Sequence, residues 1–260
     1  MKRSLLSLIL FYILFYSLQS QIVNKDPLSS RITGYKIDAT LNVTAKIISG
    51  KMEAFWVNES SDIVPDVQLH LYLNAFKSNK TTFFRESPVS DLDSKMKYDG
   101  WIEIKSITGR YNQDLIPQMQ YVSPDDGNMD DNTVLKINLS QAAKPGDTVF
   151  LKIDFESKLP SNIIRTGYND DFFFVAQWFP KFGVYEPAGK RFAAKGGWNC
   201  HQFHANSEFY SDHSVYDVKI TLPNEYVVGS GGLLIDETGD GDQKTLTYRA
   251  EDIVDFAWTA

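Results

Sequence analysis

Four stretches of this chain alternate apolar and polar residues with a period of two. In YKIDATLNV the residues Tyr35, Ile37, Ala39, Leu41 and Val43 fall on one face. VQLHLYL repeats the pattern with Val67, Leu69, Leu71 and Leu73, and TVFLKIDF with Val149, Leu151, Ile153 and Phe155. VYDVKITL does so again with Tyr216, Val218, Ile220 and Leu222. Successive side chains of a strand point to opposite faces, so the alternation predicts strands buried on one side only. Turn-forming residues punctuate them: KPGD before Thr148, LPN after Ile220 and TGDGD before QKTLTY. No helical stripe follows residue 20. Many short strands joined by turns predict an all-β fold, an antiparallel sandwich or curved open sheet.

The N-terminus departs from this pattern. MKRSLLSLILFYILFYSLQSQ places Lys2 and Arg3 before an apolar run from Leu5 to Leu18, then small polar residues. The run is short for a membrane span and fits a secretory signal peptide over residues 1–20, with Ser20 at the cut. Leu18 departs from the small residue favoured two positions earlier, which leaves an uncleaved signal anchor as the alternative. No cysteine directly follows the run, which excludes a lipoprotein anchor. The expectation is a secreted or periplasmic protein with no other membrane span, and one domain over residues 21–260.

Composition narrows the partners. A hydrophobic content of 43% with 13% aromatic residues supports a packed core. The net charge of −7, with no concentrated basic face, argues against nucleic acid. Cys200 is the single cysteine, so no intramolecular disulfide forms. N-x-S/T sequons occur at Asn42, Asn58, Asn79 and Asn138.

The candidate chemistry is concentrated in HQFHANSEF, residues 201–209. His201 and His204 stand three apart, with Glu208 and His213 nearby, a density that suggests zinc ligands. On a helix residues three apart share a face; on a strand they do not, and this segment runs into the strand at Val215. H-E-x-x-H does not occur anywhere in the chain. Histidines hydrogen-bonded in a core or interface are the competing expectation, and a Cys200/His204 thiol hydrolase is a third. The acidic stretches SPDDGNMDDN (123–132) and DETGDGD (236–242) lack the EF-hand pattern and read as solvated hairpin loops. VVGSGGLL follows a strand and precedes more β pattern, so its glycines read as a turn or bulge. G-x-S-x-G, P-loop and dinucleotide-binding patterns are missing. The residues by themselves assign no catalytic and no metal-ligating role.

Six motifs in order carry a resemblance: YKIDATLNV, VQLHLYLNAF, AKPGDTVFLKIDFESKLP, QWFPKFGVYEP, EFYSDHSVYDVKITLP with YVVGSGG, and DFAW. From about Ile32 to Ala260 the chain resembles the N-terminal domain of aminopeptidase N-like (gluzincin) zinc metallopeptidases. QWFPKFGVYEP and GWNCHQFH are similar to a bacterial branch. The resemblance implies a saddle-like β-domain beside a catalytic zinc domain, which would follow DFAWTA and is not in this chain. Zinc is then expected in that domain and none in this one, with a peptide as the substrate of the whole enzyme. The family's N-terminal domain contributes one Gln or Glu that binds the substrate's free amino group, and Gln177 is the match. The gap from Gln177 to YEP (185–187) is shorter than is usual in the family, and a packing role for Gln177 and Trp178 is the alternative. A stand-alone secreted β-domain binding a peptide, carbohydrate or protein partner is the other functional expectation.

Overall fold

A computed structural model describes residues 26–87, 99–161, 164–191 and 193–260; the signal-peptide reading lies outside the described residues. The largest sheet has seven strands: β1 (Thr33–Asn42), β2 (Ile47–Val57), β4 (Trp101–Thr108), β7 (Thr148–Lys158), β13 (Ser214–Pro223), β15 (Leu233–Asp240) and β16 (Gln243–Ile253). Their order across the sheet is β15-β16-β13-β1-β2-β7-β4. A four-stranded sheet, β10-β3-β6-β5, is built from β3 (Val64–His70), β5 (Met119–Val122), β6 (Val134–Ala143) and β10 (Lys181–Phe182). A second, β14-β17-β9-β8, comprises β8 (Gly167–Asn169), β9 (Phe172–Val175), β14 (Gly229–Ser230) and β17 (Trp258–Thr259). A short ribbon pairs β11 (Val184–Glu186) with β12 (Gly197–Asn199).

The alternation predicted for β1 and β13 holds residue by residue. Tyr35, Ile37, Ala39 and Leu41 are buried with exposed residues between them, as are Tyr216, Val218 and Ile220, with Leu222 buried beyond. In β7 Leu151, Ile153 and Phe155 are buried, but Val149 is only partly so. These inner faces share one hydrophobic cluster with Val67, Leu69 and Ile137 of the first four-stranded sheet and Phe173 and Val175 of the second. Each fully buried aliphatic side chain contributes about 1.5–3 kcal/mol of transfer free energy. Gly50 of β2 faces Phe155 across the ladder, and a Cβ there would lie 2.3 Å from the Phe155 ring, so a side chain is excluded at this crossing.

Three expectations need correction. The large sheet is not antiparallel throughout: β1 runs parallel to β13, Thr33 opposite Ser214 through Thr40 opposite Thr221. A parallel pair needs a long crossover, and here all of β2 to β12 lies between the two strands. The strand predicted through Leu73 ends at His70; Tyr72–Phe76 form a 3-10 turn whose five residues are all buried. Alternation cannot persist where no face meets solvent. A helix also occurs, the five-residue α1 (Thr82–Glu86), too short to leave a readable stripe.

Candidate functional site

Gln177 lies between β9 and β10, where the chain passes from one four-stranded sheet to the other. Trp178, Phe179 and Pro180 are buried behind it, and Pro180 fixes its own φ near −65°. Gln177 itself has φ 55°, and among the described non-glycine residues with positive φ it alone is buried. Left-handed backbone costs a non-glycine residue roughly 1–2 kcal/mol, so the surroundings must impose it.

The neighbouring segment 254–256 makes four hydrogen bonds to this turn. The Gln177 N–H donates to Asp255 Oδ2 at 3.0 Å, and the Trp178 indole Nε1–H donates to the Phe256 carbonyl at 2.8 Å. Lys181 Nζ donates to Asp255 Oδ1 at 3.1 Å and to the Val254 carbonyl at 3.3 Å. Lys181 is 1% exposed, with the Tyr72 and Phe179 rings 6.0 and 5.8 Å from its ammonium. Burial lowers the Lys181 ammonium below its ordinary value, and the attraction of Asp255 opposes that shift. Tyr35 accepts the Phe182 N–H at its hydroxyl, 3.0 Å away, and stacks on Tyr216 at 5.2 Å. The Gln177 side-chain oxygen Oε1 is buried and has no hydrogen-bond partner among the described residues. A buried acceptor without a partner costs about 1–3 kcal/mol.

The histidines separate into two environments. His201 Nδ1 lies 2.5 Å from Asp125 Oδ1; His204 lies between Asp125 Oδ2, 3.0 Å from its Nε2, and Glu86 Oε1, 2.8 Å from its Nδ1. Burial alone would lower the His204 pKa, but the hydrogen bonds to Asp125 and Glu86 outweigh it and raise the group above its ordinary value. Glu208 turns away to Arg165, and His213 is exposed. HQFH thus ties the 201–205 segment to α1 and to the acidic stretch 123–132. That stretch joins the paired strands β5 and β6 and is exposed over most of its length, but it is anchored at two points. Asn128 and Asp131 are buried, Asp126 accepts from Thr82, Asn128 and Gln202, and Asp131 accepts the Thr82 N–H. In DETGDGD, by contrast, β15 is exposed along its whole length and the turn falls at Gly241–Asp242.

Cys200 meets His70 and not His204. Its Sγ is 3.5 Å from His70 Nε2, and His70 stacks on Tyr72 at 4.4 Å. Burial pushes the Cys200 thiol up and, with repulsion from Lys181, pushes His70 down to about 3. Both shifts favour neutral groups, the reverse of an activated thiolate–imidazolium pair. Zinc needs three or four convergent donors at about 2.0–2.3 Å. Among the described residues no such group of His, Cys, Asp or Glu exists. The described residues do not fit the metal.

The motif resemblance found Gln177 but missed Lys181, Asp255 and Asp125. A signal for Lys181 was available: a single cation inside the apolar run QWFPKF is a candidate buried charge, which demands a carboxylate partner. Nothing local pointed to Asp255 or to Asp125.

No protein-family model and no curated protein matches the sequence. Solved structures do match its fold. The M1 zinc metallopeptidase from Deinococcus radiodurans aligns at 15% identity with a TM-score of 0.50, over 89% of this chain and 43% of that chain. A mutant of that enzyme bound to a Tyr-Ser-Ala substrate aligns with a TM-score of 0.49 at the same identity and coverage. This chain therefore spans less than half the length of the structures it matches, and its fold is one found within an M1 zinc metallopeptidase.

Proposed function

We propose that residues 21–260 form the N-terminal, substrate-cleft domain of an exported zinc metallopeptidase of the aminopeptidase type, preceded by a signal peptide over residues 1–20. In this reading Gln177 accepts a hydrogen bond from the free amino group of a peptide substrate, and zinc is held by a separate catalytic domain. The observation that carries it is the buried, left-handed Gln177 with its unpartnered Oε1, at the position the motif resemblance assigns to amino-group binding. The described residues contain no helix long and apolar enough to cross a membrane. The test is the mass and zinc content of the polypeptide isolated from its native cells. A product much larger than 260 residues, with about one bound zinc, is expected; a product near this length without zinc overturns the reading.

A second reading, a β-domain that binds a peptide, carbohydrate or protein partner by itself, is favoured by an open groove of about 680 Å³. Arg110, Tyr111, Gln141 and Phe150 line it, with exposed Ile63 at its rim. Glycan and peptide arrays probed with the 260-residue chain test this reading: retention lost on Tyr111→Ala supports it, and no retention on any array rejects it.

A further inference from the structure

Asp255 divides its two carboxylate oxygens between unlike donors. Oδ2 accepts the backbone N–H of Gln177 at 3.0 Å, and Oδ1 accepts the Lys181 ammonium at 3.1 Å. Lys181 is fully enclosed, and the Asp255 side chain is 11% exposed. A buried ion pair is expensive to desolvate, and well-packed apolar residues of similar size commonly replace one without loss of stability. A purely structural role does not require charge at these positions. The charge has a use, however, if the orientation of the carboxylate matters to a third group. That group is Gln177, whose left-handed backbone no side chain of its own explains and whose Oε1 is left without a partner.

We infer that the Lys181–Asp255 pair is a positioning device: Lys181 fixes the Asp255 carboxylate, Asp255 holds the Gln177 N–H, and the left-handed turn thereby sets where Oε1 points. Lys181 and Asp255 act through Gln177 and touch no ligand themselves. Without the pair, Gln177 relaxes toward ordinary backbone and its side chain swings away from that direction. The ligand that meets Oε1 is one presenting N–H donors, a primary ammonium first among them. The identity of the ligand rests on the proposed function; the positioning of Gln177 does not.

Two measurements separate these claims. In the 260-residue chain, Lys181→Met with Asp255→Leu removes both charges and the acceptor, while Lys181→Met with Asp255→Asn keeps one acceptor oxygen facing Gln177. The expected result is that the Leu variant folds, that the Gln177 amide exchanges with solvent at least about tenfold faster, and that its three-bond HN–Hα coupling leaves the left-handed value. The Asn variant, which keeps an acceptor oxygen but lacks Lys181 to fix it, restores both only in part; full restoration overturns the role given to Lys181. A folded Leu variant with unchanged exchange and coupling at residue 177 overturns the positioning claim; if the Leu variant does not fold, Asp255→Asn in the Lys181→Met background is read against Lys181→Met with Asp255→Ser in the same way. In the native-length polypeptide, the Leu variant is expected to raise KM for a peptide with a free N-terminus about tenfold with kcat nearly unchanged, and to leave the inhibition constant of the N-acetylated peptide unmoved. Changed exchange with no peptidase activity in the unmutated polypeptide retains the device and rejects the proposed reaction. A fall in kcat with KM unchanged contradicts the inferred role.

Discussion

The indole of Trp178 donates its Nε1–H to the carbonyl of Phe256 at 2.8 Å, joining two segments 78 residues apart. The contact brings QWFPK and DIVDFAW together, and both of its partners are buried. Beside it β17 pairs with β9, Trp258 opposite Val175, so the end of the described chain closes over the start of the candidate site. Trp178→Phe keeps most of the ring but leaves the Phe256 carbonyl without its donor. The expected loss is about 1–3 kcal/mol in urea denaturation, seen as a lower midpoint with an unchanged slope.

Asn58 makes a second long-range tie. Its Nδ2 donates to the carbonyls of Asp62 and Ala143, at 2.8 and 3.0 Å, and its Oδ1 accepts from Ser60. Its own N–H donates to the Asp147 carbonyl, and its carbonyl accepts from Gly146, so the KPGD turn is fastened to the β2–β3 connection. Asn58→Ala is expected to destabilise the fold by about 2–3 kcal/mol, measured by denaturant titration. The same burial bars Asn58 from glycosylation, whereas Asn42, Asn79 and Asn138 are exposed. Expression in a glycosylating host followed by peptide mapping is expected to find glycan at one or more of those three and none at Asn58.

The two buried or part-buried imidazoles give opposite pH dependences. His204, raised by Asp125 and Glu86 against the effect of burial, favours the protonated form in the fold. Its contribution is complete below the unfolded pKa of about 6.5 and is lost as pH rises through the folded value. His70, held neutral and pushed down to about 3, contributes above pH about 6.5 and loses that contribution as pH falls toward 3. The stability gap between wild type and His204→Gln is therefore expected to shrink between pH 6 and pH 8, values chosen to straddle about 6.5. His70→Asn is expected to flatten the acid limb, where one proton contributes a slope of about 1.4 kcal/mol per pH unit.

Cys200 is buried beside a neutral imidazole and its thiol is pushed up. Alkylation by iodoacetamide is expected to run at least about a hundredfold slower in the native chain than in urea, because the thiolate is the reactive form. Rapid native alkylation would place the thiol in an activated, accessible setting.

How far the sequence was readable depends on what each residue faces. β1 and β13 were legible because one face of each meets solvent, and a period of two survives only under that condition. Leu71 to Leu73 were misread as strand; every residue from Leu71 to Phe76 is buried, which erases the period. The parallel pairing of β1 with β13 was not legible, since strand patterning carries no information about partners far away in the chain. In the candidate site, Gln177 was found through its motif. Its left-handed backbone and the pairing of Lys181 with Asp255 come from contacts spanning more than 70 residues. Likewise HQFH had the composition of a metal site, but its partners Asp125 and Glu86 come from segments a single sequence does not connect to it.

The central claim, that Gln177 binds the amino end of a peptide in a zinc metallopeptidase, is tested most directly by zinc-dependent hydrolysis in the native-length polypeptide. The measurement is KM for a peptide with a free N-terminus and the inhibition constant of its N-acetylated form, with Gln177 and with Gln177→Ala. The account predicts a KM rise of about tenfold or more on Gln177→Ala for the free peptide alone, as expected when one hydrogen bond to a charged group is lost. Equal KM values for the two enzymes on the free peptide would contradict it.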